Sequence, residues 1–279
     1  MLIVADPAET RAAVVAEIAA GKTVGFVPTM GALHAGHLSL IDAARAECDL
    51  VAASVFVNPT QFAPSEDFAA YPRPVEQDLQ LLQQRGCWLA FTPTAEAMYP
   101  PGSTTSIDVG PVARPWEGAE RPTHFAGVAT VVMKLLQIVP ATRAYFGQKD
   151  YQQTLVVRRM VEDLNVPVEL RVCPIVREPD GLALSSRNAY LSVAERTKAA
   201  ALSQSLESAR QACAAGETDA ERLRALIRDR LKESALEPDY VAIVADGTVE
   251  PIERIVGPAV VAIAVRVGRT RLIDNCRIG

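Results

Sequence analysis

Two histidines, His34 and His37, stand three residues apart beside Gly31 and Gly36, and this group is the part of the sequence best suited to chemistry. An apolar strand pattern at residues 24–27 ends just before the group, and an amphipathic helix pattern begins directly after it. Strand, glycine turn and helix N-terminus together predict an anion site, because unpaired backbone N–H groups and the positive end of the helix dipole face a bound phosphate. Both imidazoles share one helix face, so we expect them to donate hydrogen bonds to phosphate oxygens.

Two other interpretations of the histidines stay open at this point. Each could be an incidental turn residue, since a His-x-x-His pattern is weak by itself. His34, His37 and His124 are also the only histidines of the chain, and a catalytic zinc ion can use three histidine ligands. A carboxylate-rich set of supporting residues does not accompany the pair in sequence, so we predict no protein-bound metal.

Two neutral amides, Asn58 and Gln61, follow the next apolar run, which covers residues 50–57. An amide side chain offers donors and an acceptor together, which suits a substrate that bears both hydroxyl and carboxylate groups. For the Asn58-Pro59 pair alone, turn chemistry is the simpler explanation. The segment 58–73 is therefore a candidate substrate site.

A third polar segment, residues 146–153, again lies between a strand pattern and a helix pattern. Asp150 is placed to cap the helix, and capping alone would explain it. Lys149 lies just outside the helix, where an ammonium group offsets charge on transferring phosphate oxygens. Gln153 lies about one turn further on and can reach inward from the helix.

The fourth segment, residues 175–188, ends in a Ser-Ser-Arg-Asn run after a Pro-Asp-Gly turn signal. Hydroxyl groups and a guanidinium fork suit a triphosphate, and a loop at the junction of two domains could close over it. Taken alone, the segment is only a loop with a turn.

The elements that must position these segments read as an α/β fold. Short apolar runs alternate with helix-period segments through about residue 175, which predicts a Rossmann-like, doubly wound parallel sheet. The clearest predicted strands cover residues 24–27, 50–57, 88–91, 144–146 and 168–172. Ligands of open parallel sheets bind at the carboxyl ends of the strands, which is where the polar segments lie.

The pattern changes in the last third of the chain. Two long helix patterns, at about 192–215 and 218–233, open with the capping boxes Ser192/Glu195 and Thr218/Glu221. Strand patterns follow at residues 240–244, 259–264 and 271–273. We predict a first domain over residues 1–175 and a smaller α+β domain over residues 176–279, with the Pro-rich stretch 93–122 as a connection that could act as a lid.

Composition favours small molecules as partners. The net charge is -5 among 279 residues, which argues against a broad basic surface for nucleic acid. The five cysteines are scattered without a Cys-x-x-Cys pair, so a reducing, cytoplasmic setting fits best. Asp6 follows Met1 too closely for a secretory signal, and no apolar run reaches the ~20 residues of a membrane span.

The four segments, in this order, resemble the pantothenate synthetase (pantoate:β-alanine ligase) family over nearly the whole chain. His34-Ala35-Gly36-His37 is similar to the His-x-Gly-His signature of the nucleotidyltransferase superfamily, and Leu184-Ser185-Ser186-Arg187 resembles its second phosphate-binding signature. Asn58–Phe62 and Gly147–Gln153 narrow the resemblance to this one family. One departure is Leu184, where the family commonly has methionine.

The resemblance implies a two-step ligase reaction. Pantoate attacks the α-phosphorus of ATP to give pantoyl adenylate and pyrophosphate, and β-alanine then displaces AMP to give pantothenate. It also implies that Mg²⁺ accompanies the ATP phosphates, that the first domain binds nucleotide and pantoate while the second closes over the ATP site, and that the protein is a homodimer. An alternative is a related adenylyltransferase that makes a nucleotide conjugate.

The same resemblance implies roles for individual residues. His37, His34 and Lys149 would be catalytic, with His37 the proton donor, and Gln61 would contact both pantoate and β-alanine. Gln153 and Asn58 would bind pantoate. The implied ATP-binding residues are Met30, Gly31, Ala32, Leu33, His34, Ala35, Gly36, His37, Gly147, Gln148, Lys149, Asp150, Val176, Leu184, Ser185, Ser186 and Arg187.

Overall fold

The computed structural model describes residues 1–62, 68–69 and 71–279. The chain forms two compact units, the first from Met1–Gly147 with Gln152–Cys173 and the second from Gln148–Tyr151 with Pro174–Gly279. The short segment Gln148–Tyr151 therefore groups with the C-terminal residues, although its neighbours in sequence belong to the first unit. Residues 63–67 and 70 of the predicted substrate segment 58–73 lie outside the described residues.

A six-stranded parallel sheet organises the first unit. Its strands are β1 (Leu2–Val4), β2 (Val24–Thr29), β3 (Leu50–Val55), β4 (Leu89–Phe91), β5 (Arg143–Gly147) and β6 (Glu169–Cys173). They lie in the order β1-β4-β3-β2-β5-β6, and every pairing is parallel. The predicted Rossmann-like fold is confirmed, and each of the five predicted strands overlaps an observed one.

Helices connect these strands. They are α1 (Pro7–Ala19), α2 (Ala35–Glu47), α3 (Val75–Gln84), α4 (Ala95–Met98), α5 (Glu117–Glu120), α6 (His124–Ile138) and α7 (Tyr151–Asp163). Short 3-10 turns cover Pro59–Gln61, Gly110–Ala113 and Gln148–Asp150. The Pro-rich stretch 93–122 thus contains α4, α5 and one 3-10 turn, and its role as a lid stays a prediction.

The central strands read as continuous apolar runs because they are buried. Phe26 of β2 and Ala52 of β3 are fully buried, as expected for a parallel sheet covered on both faces. Gly25 sets how closely α2 approaches the sheet, since a Cβ there would lie 3.0 Å from the Ala44 Cβ and 3.1 Å from the Tyr145 ring. Glycine at this position therefore allows the C-terminal part of α2 to lie close against the sheet.

The second unit is the predicted α+β arrangement. Its antiparallel sheet has the order β7-β8-β9, from Pro238–Ala245, Ala259–Val267 and Thr270–Ile278. The long helices α8 (Val193–Ala214) and α9 (Ala220–Glu233) follow a 3-10 turn at Ser186–Tyr190. Leu202 and Leu206 of α8 share a buried cluster with Leu223 and Ile227 of α9 and Ile263 of β8.

One of the two predicted capping boxes is present. Ser192 accepts a hydrogen bond from the Glu195 amide, and the Glu195 carboxylate accepts from the Ser192 amide. The box predicted at Thr218 is wrong: Asp219 caps α9 instead, accepting from the amides of Glu221 and Arg222. An aspartate one residue later serves the same open N–H groups and adds a favourable charge at the helix N-terminus.

Among the described residues, no helix is both long enough and apolar enough to cross a membrane.

Candidate active site

The turn that carries the two histidines follows β2, where the strand order reverses. β2 pairs with β3 on one side and with β5 on the other, and a reversal of this kind opens a crevice at the carboxyl ends of the strands. Gly31 and Ala32 have φ values of 82° and 50°, a region that glycine enters freely and alanine rarely. The chain turns sharply there and enters α2 with His34 at the N-cap.

Thr29, the last residue of β2, holds the start of this turn. Its hydroxyl donates to the Ser54 carbonyl at 2.7 Å and accepts from the Gly31 amide at 3.1 Å. Thr29 is buried, so these two bonds link the turn directly to the neighbouring strand β3.

A buried carboxylate holds the rest of the turn. Asp78 of α3 is 1% exposed and accepts from the Ala32 amide at 2.9 Å and the Leu33 amide at 2.8 Å. Burial raises the pKa of the Asp78 carboxyl, and the two amide bonds oppose that shift. A Cβ at Gly31 would lie 2.8 Å from the same carboxylate. The left-handed turn therefore needs glycine for space as well as for its φ angle.

The two histidines form a reciprocal cap. The His34 Nδ1 accepts from the Gly36 amide at 3.1 Å, and the His37 Nδ1 accepts from the His34 amide at 3.4 Å. Their ring centroids are 4.1 Å apart. A ring nitrogen that accepts carries no hydrogen, so this arrangement places the proton of each neutral imidazole on Nε2. Nε2 is then the atom that can donate to a phosphate oxygen.

The expectation of unpaired backbone amides is wrong for most of the turn. The amides of Gly31, Ala32, Leu33, His34, Gly36 and His37 all have acceptors within the protein. The buried polar groups are satisfied internally, as folded proteins require when no ligand is bound. The imidazoles and the positive end of the α2 dipole are then the candidates to attract an anion.

The two predicted amides lie in contact after β3. The Asn58 Nδ2 donates to the Gln61 Oε1 at 3.0 Å, and both side chains are at least nine-tenths buried. Because its oxygen accepts from Asn58, the Gln61 side chain has its Nε2 group as a donor. Asn58 also donates to the Gly127 carbonyl at 3.2 Å and accepts from the Tyr99 hydroxyl at 2.9 Å. Asn58 therefore orients Gln61, and its predicted contact with a ligand stays a prediction.

Helix α6 packs directly on this amide pair. A Cβ at Gly127 would lie 2.3 Å from the Thr60 carbonyl oxygen, so only glycine permits the approach. The Gln61 carbonyl lies 3.0 Å from the His124 Nδ1 and accepts from Arg121 at 3.1 Å. His124 thus supports the backbone of Gln61.

Within residues 1–62, 68–69 and 71–279, no group of three or more His, Cys, Asp or Glu side chains could hold a metal ion.

The segment after β5 carries Lys149. Its Nζ lies 3.5 Å from the Asp150 Oδ1, and its side chain is 20% exposed. Asp150 immediately precedes α7, and its capping role stays a prediction. In the first turn of α7, Gln152 is buried and donates to the Val112 and Pro115 carbonyls. The next residue, Gln153, is half-buried.

The Ser-Ser-Arg segment lies in the second unit on a short hairpin. The Leu184 amide donates to the Val176 carbonyl at 3.0 Å, which brings together two of the predicted ATP-binding residues. Ser185 caps the following 3-10 turn by accepting from the Arg187 amide at 3.3 Å. Gly181, with φ 88°, forms the predicted Pro-Asp-Gly turn. Local bonds shape the hairpin, and Arg177 also joins it to Asp274 of β9.

The family model described as pantoate-beta-alanine ligase matches residues 2–277 of the chain. The chain belongs to this family. It is 53% identical to the pantothenate synthetase of Roseiflexus castenholzii over 99% of each sequence, and 54% identical to that of Chloroflexus aurantiacus over 92% of each. The predicted family and ligase function are confirmed, and they favour the ligase over the alternative adenylyltransferase.

Solved structures of the pantoate-beta-alanine ligase family share the fold throughout. A pantothenate synthetase from Thermus thermophilus superposes with a TM-score of 0.94 at 50% identity over 99% of each chain. A pantoate-beta-alanine ligase from Francisella tularensis, complexed with beta-gamma ATP and beta-alanine, has a TM-score of 0.81 at 33% identity, covering 99% of this chain and 97% of its own.

The sequence interpretation missed the residues that hold the site in place, above all Asp78. A signal was available, because Asp78 lies four residues before Leu82 on the buried face of α3, where an acid is out of place. A carboxylate on an apolar helix face requires hydrogen-bond donors, and the turn after β2 supplies them to Asp78.

Replacing Asp78 with asparagine is expected to lower the free energy of unfolding by about 2 kcal/mol, because one turn amide loses its acceptor and faces an NH₂ group. Urea unfolding followed by circular dichroism measures the change. The matched control is Asp42→Asn, since Asp42 is a half-exposed carboxylate on α2 paired with Arg85 at the surface. Equal losses for the two variants would contradict the role of Asp78.

Proposed function

We propose that the protein condenses pantoate with β-alanine at the expense of ATP, through a pantoyl-adenylate intermediate, and releases AMP and pyrophosphate. The family match across residues 2–277 carries this proposal. The paired imidazoles after β2 fit it, because their Nε2 atoms can donate to phosphate oxygens as negative charge builds up during attack on the α-phosphorus. The Francisella tularensis ligase bound to a nucleotide and beta-alanine supports the same pair of substrates.

The proposed division of roles follows the resemblance to the family, and the chemistry of each side chain fits its role. His37 and His34 act as donors to the phosphates, His37 being the proton donor, and the Lys149 ammonium offsets charge on the transferring group. Gln61 uses its Nε2 group to bind pantoate and then β-alanine, with Gln153 and Asn58 completing the pantoate site. The remaining proposed ATP contacts are Met30–Leu33, Ala35, Gly36, Gly147, Gln148, Asp150, Val176 and Leu184–Arg187.

Several features of the working protein belong to the same proposal. The ATP phosphates would carry Mg²⁺, which would offset part of their charge, because Mg²⁺ binds nucleotides in preference to all-protein cages. The protein is proposed to be a cytoplasmic homodimer. The domain boundaries at residues 1–175 and 176–279, and the closure of the second domain over ATP, stay predictions.

A substrate-omission assay tests the function. Purified protein with Mg·ATP should release pyrophosphate only when pantoate is added, and pantothenate and AMP should form when β-alanine is added as well. Pyrophosphate release without pantoate, or no pantothenate from the complete mixture, would refute the proposal. Accumulation of a stable adenylate that β-alanine does not consume would point to the alternative adenylyltransferase.

Replacing Gln61 with glutamate is expected to reduce pantoate-dependent activity at least as strongly as replacement with alanine, by ~10²-fold in kcat/KM. The introduced carboxylate would face the substrate carboxylate with an acceptor in place of the Nε2 donor. Steady-state kinetics with each substrate varied in turn measure the effect. ATP binding should be retained, so a weakened nucleotide Kd with unchanged pantoate kinetics would move Gln61 to a different pocket.

A further inference from the structure

The segment that carries Lys149 is bonded to the C-terminal sheet. The Asn275 Nδ2 of β9 donates to the Gln148 carbonyl at 2.9 Å and to the Lys149 carbonyl at 3.0 Å. The Gln148 Nε2 donates back to the Asn275 Oδ1 at 3.1 Å. Tyr151 adds a second link, because its hydroxyl accepts from the Gly247 amide at 2.8 Å. These bonds explain why Gln148–Tyr151 groups with the second unit.

Asn275 is suited to this task by its chemistry and its surroundings. It is 2% exposed, and its two amide hydrogens and its oxygen are all bonded to residues 148 and 149. Aspartate has no donors and serine has one, so an amide is needed to bind two successive carbonyls and return one acceptor. The backbone N–H of Asn275 donates to the Asp274 carboxylate at 2.7 Å. The same carboxylate pairs with Arg177 through two hydrogen bonds. The backbone that presents Asn275 is thereby fixed.

The hydrogen bonds from Asn275 to the Gln148 and Lys149 carbonyls are not part of the pairing between strands. Both carbonyls belong to a 3-10 turn outside the ladder of β9, which pairs with β8 over residues Thr270 to Ile278. Removing the bonds would leave that ladder intact and would release the backbone on both sides of the Lys149 Cα. A lysine carries its charge on a long flexible stem, so a fixed backbone limits the volume that the ammonium samples.

We infer that Asn275 is a positioning residue for the adenylation step, which holds the Lys149 backbone so that the ammonium group meets the transferring phosphate. The inference rests on the proposed function, because it takes its meaning from the role of Lys149. It makes the last strand of the chain part of the catalytic apparatus, although no side chain of β9 belongs to the proposed ligand-binding set.

A double-mutant cycle tests whether Asn275 acts through Lys149. Asn275→Leu keeps the branching at Cγ and loses every side-chain hydrogen bond, and Asn275→Ser keeps one donor. In single-turnover measurements of pantoyl-adenylate formation, we expect a loss of ~10-fold for leucine and a smaller loss for serine, with KM for pantoate unchanged. In a Lys149→Met background, Asn275→Leu should change the residual rate less than ~2-fold, because the group it positions is gone.

The control is Ser205→Ala, which removes a buried hydroxyl of α8 that donates to the Leu202 carbonyl. It should leave the rate unchanged and show what a lost buried bond in the second unit does to the melting temperature. A full ~10-fold loss in the Lys149→Met background, or a wild-type rate for Asn275→Leu, would overturn the inference. If Asn275→Leu does not fold, the serine variant decides by the same cycle.

The two proposals fail in different ways. Wild-type protein that forms no pantoyl adenylate would refute the proposed function and this role together. Wild-type protein that forms it normally, with additive losses in the cycle, would refute the positioning role alone.

Discussion

His37→Asn is expected to slow pantoyl-adenylate formation by ~10²-fold or more while the protein stays folded. Asparagine can place an oxygen near the position of the imidazole Nδ1, so the bond from the His34 amide that caps α2 is retained. It has no counterpart of Nε2, so the donor to the phosphate is lost. Rapid-quench measurement of the first turnover reports the chemical step directly.

His37→Gln provides the matched comparison. Glutamine can extend an NH₂ group toward the position of Nε2, so we expect it to recover part of the rate that asparagine loses. Melting temperatures of both variants check that the fold is intact. A first-turnover rate for His37→Asn near that of the wild type would show that His37 does not donate in the transition state.

Lys149→Met is the second variant with a large expected effect, a loss of ~10²-fold in adenylate formation. Methionine keeps most of the length and apolar surface of lysine and removes only the charge that offsets the developing charge on phosphate. The loss should appear in kcat rather than in the pantoate KM, because the charge builds up in the transition state. Pre-steady-state kinetics with saturating pantoate separate the two quantities.

Lys198→Met controls for the loss of a positive charge in the same unit. Lys198 is exposed on α8 and lies outside the proposed site. Its replacement should leave the first-turnover rate unchanged. Equal effects of the two substitutions would mean that Lys149 acts only through the overall field of the protein.

The sequence predicted the parts of the fold that depend on local pattern. The buried strands appeared as apolar runs because β2 and β3 are covered on both faces. β1 escaped prediction, since it has three residues and its Leu2 and Ile3 are about half exposed. The predicted cap of α9 lies one residue too early, because Thr218 and Asp219 are both good capping residues and only the backbone geometry decides between them.

The candidate site was predictable only where its residues are neighbours in the chain. His34 and His37 contact each other, as do Asn58 and Gln61, as their spacing allowed. The residues that hold these groups lie far away in sequence: Asp78 bonds to Ala32 across 46 positions, and Asn275 bonds to Lys149 across 126. Such pairs depend on tertiary packing, which no local pattern encodes.

The backbone amides of the turn after β2 already donate hydrogen bonds within the protein, and this matters for the design of inhibitors. A compound that mimics a phosphate in order to collect hydrogen bonds from the backbone would find the amides of Gly31, Ala32 and Leu33 already bonded to Thr29 and Asp78. We expect its acceptors to gain more affinity from the Nε2 edges of His34 and His37. The shape and spacing of that imidazole pair, 4.1 Å between ring centroids, is therefore the template that a selective ligand for this turn has to match.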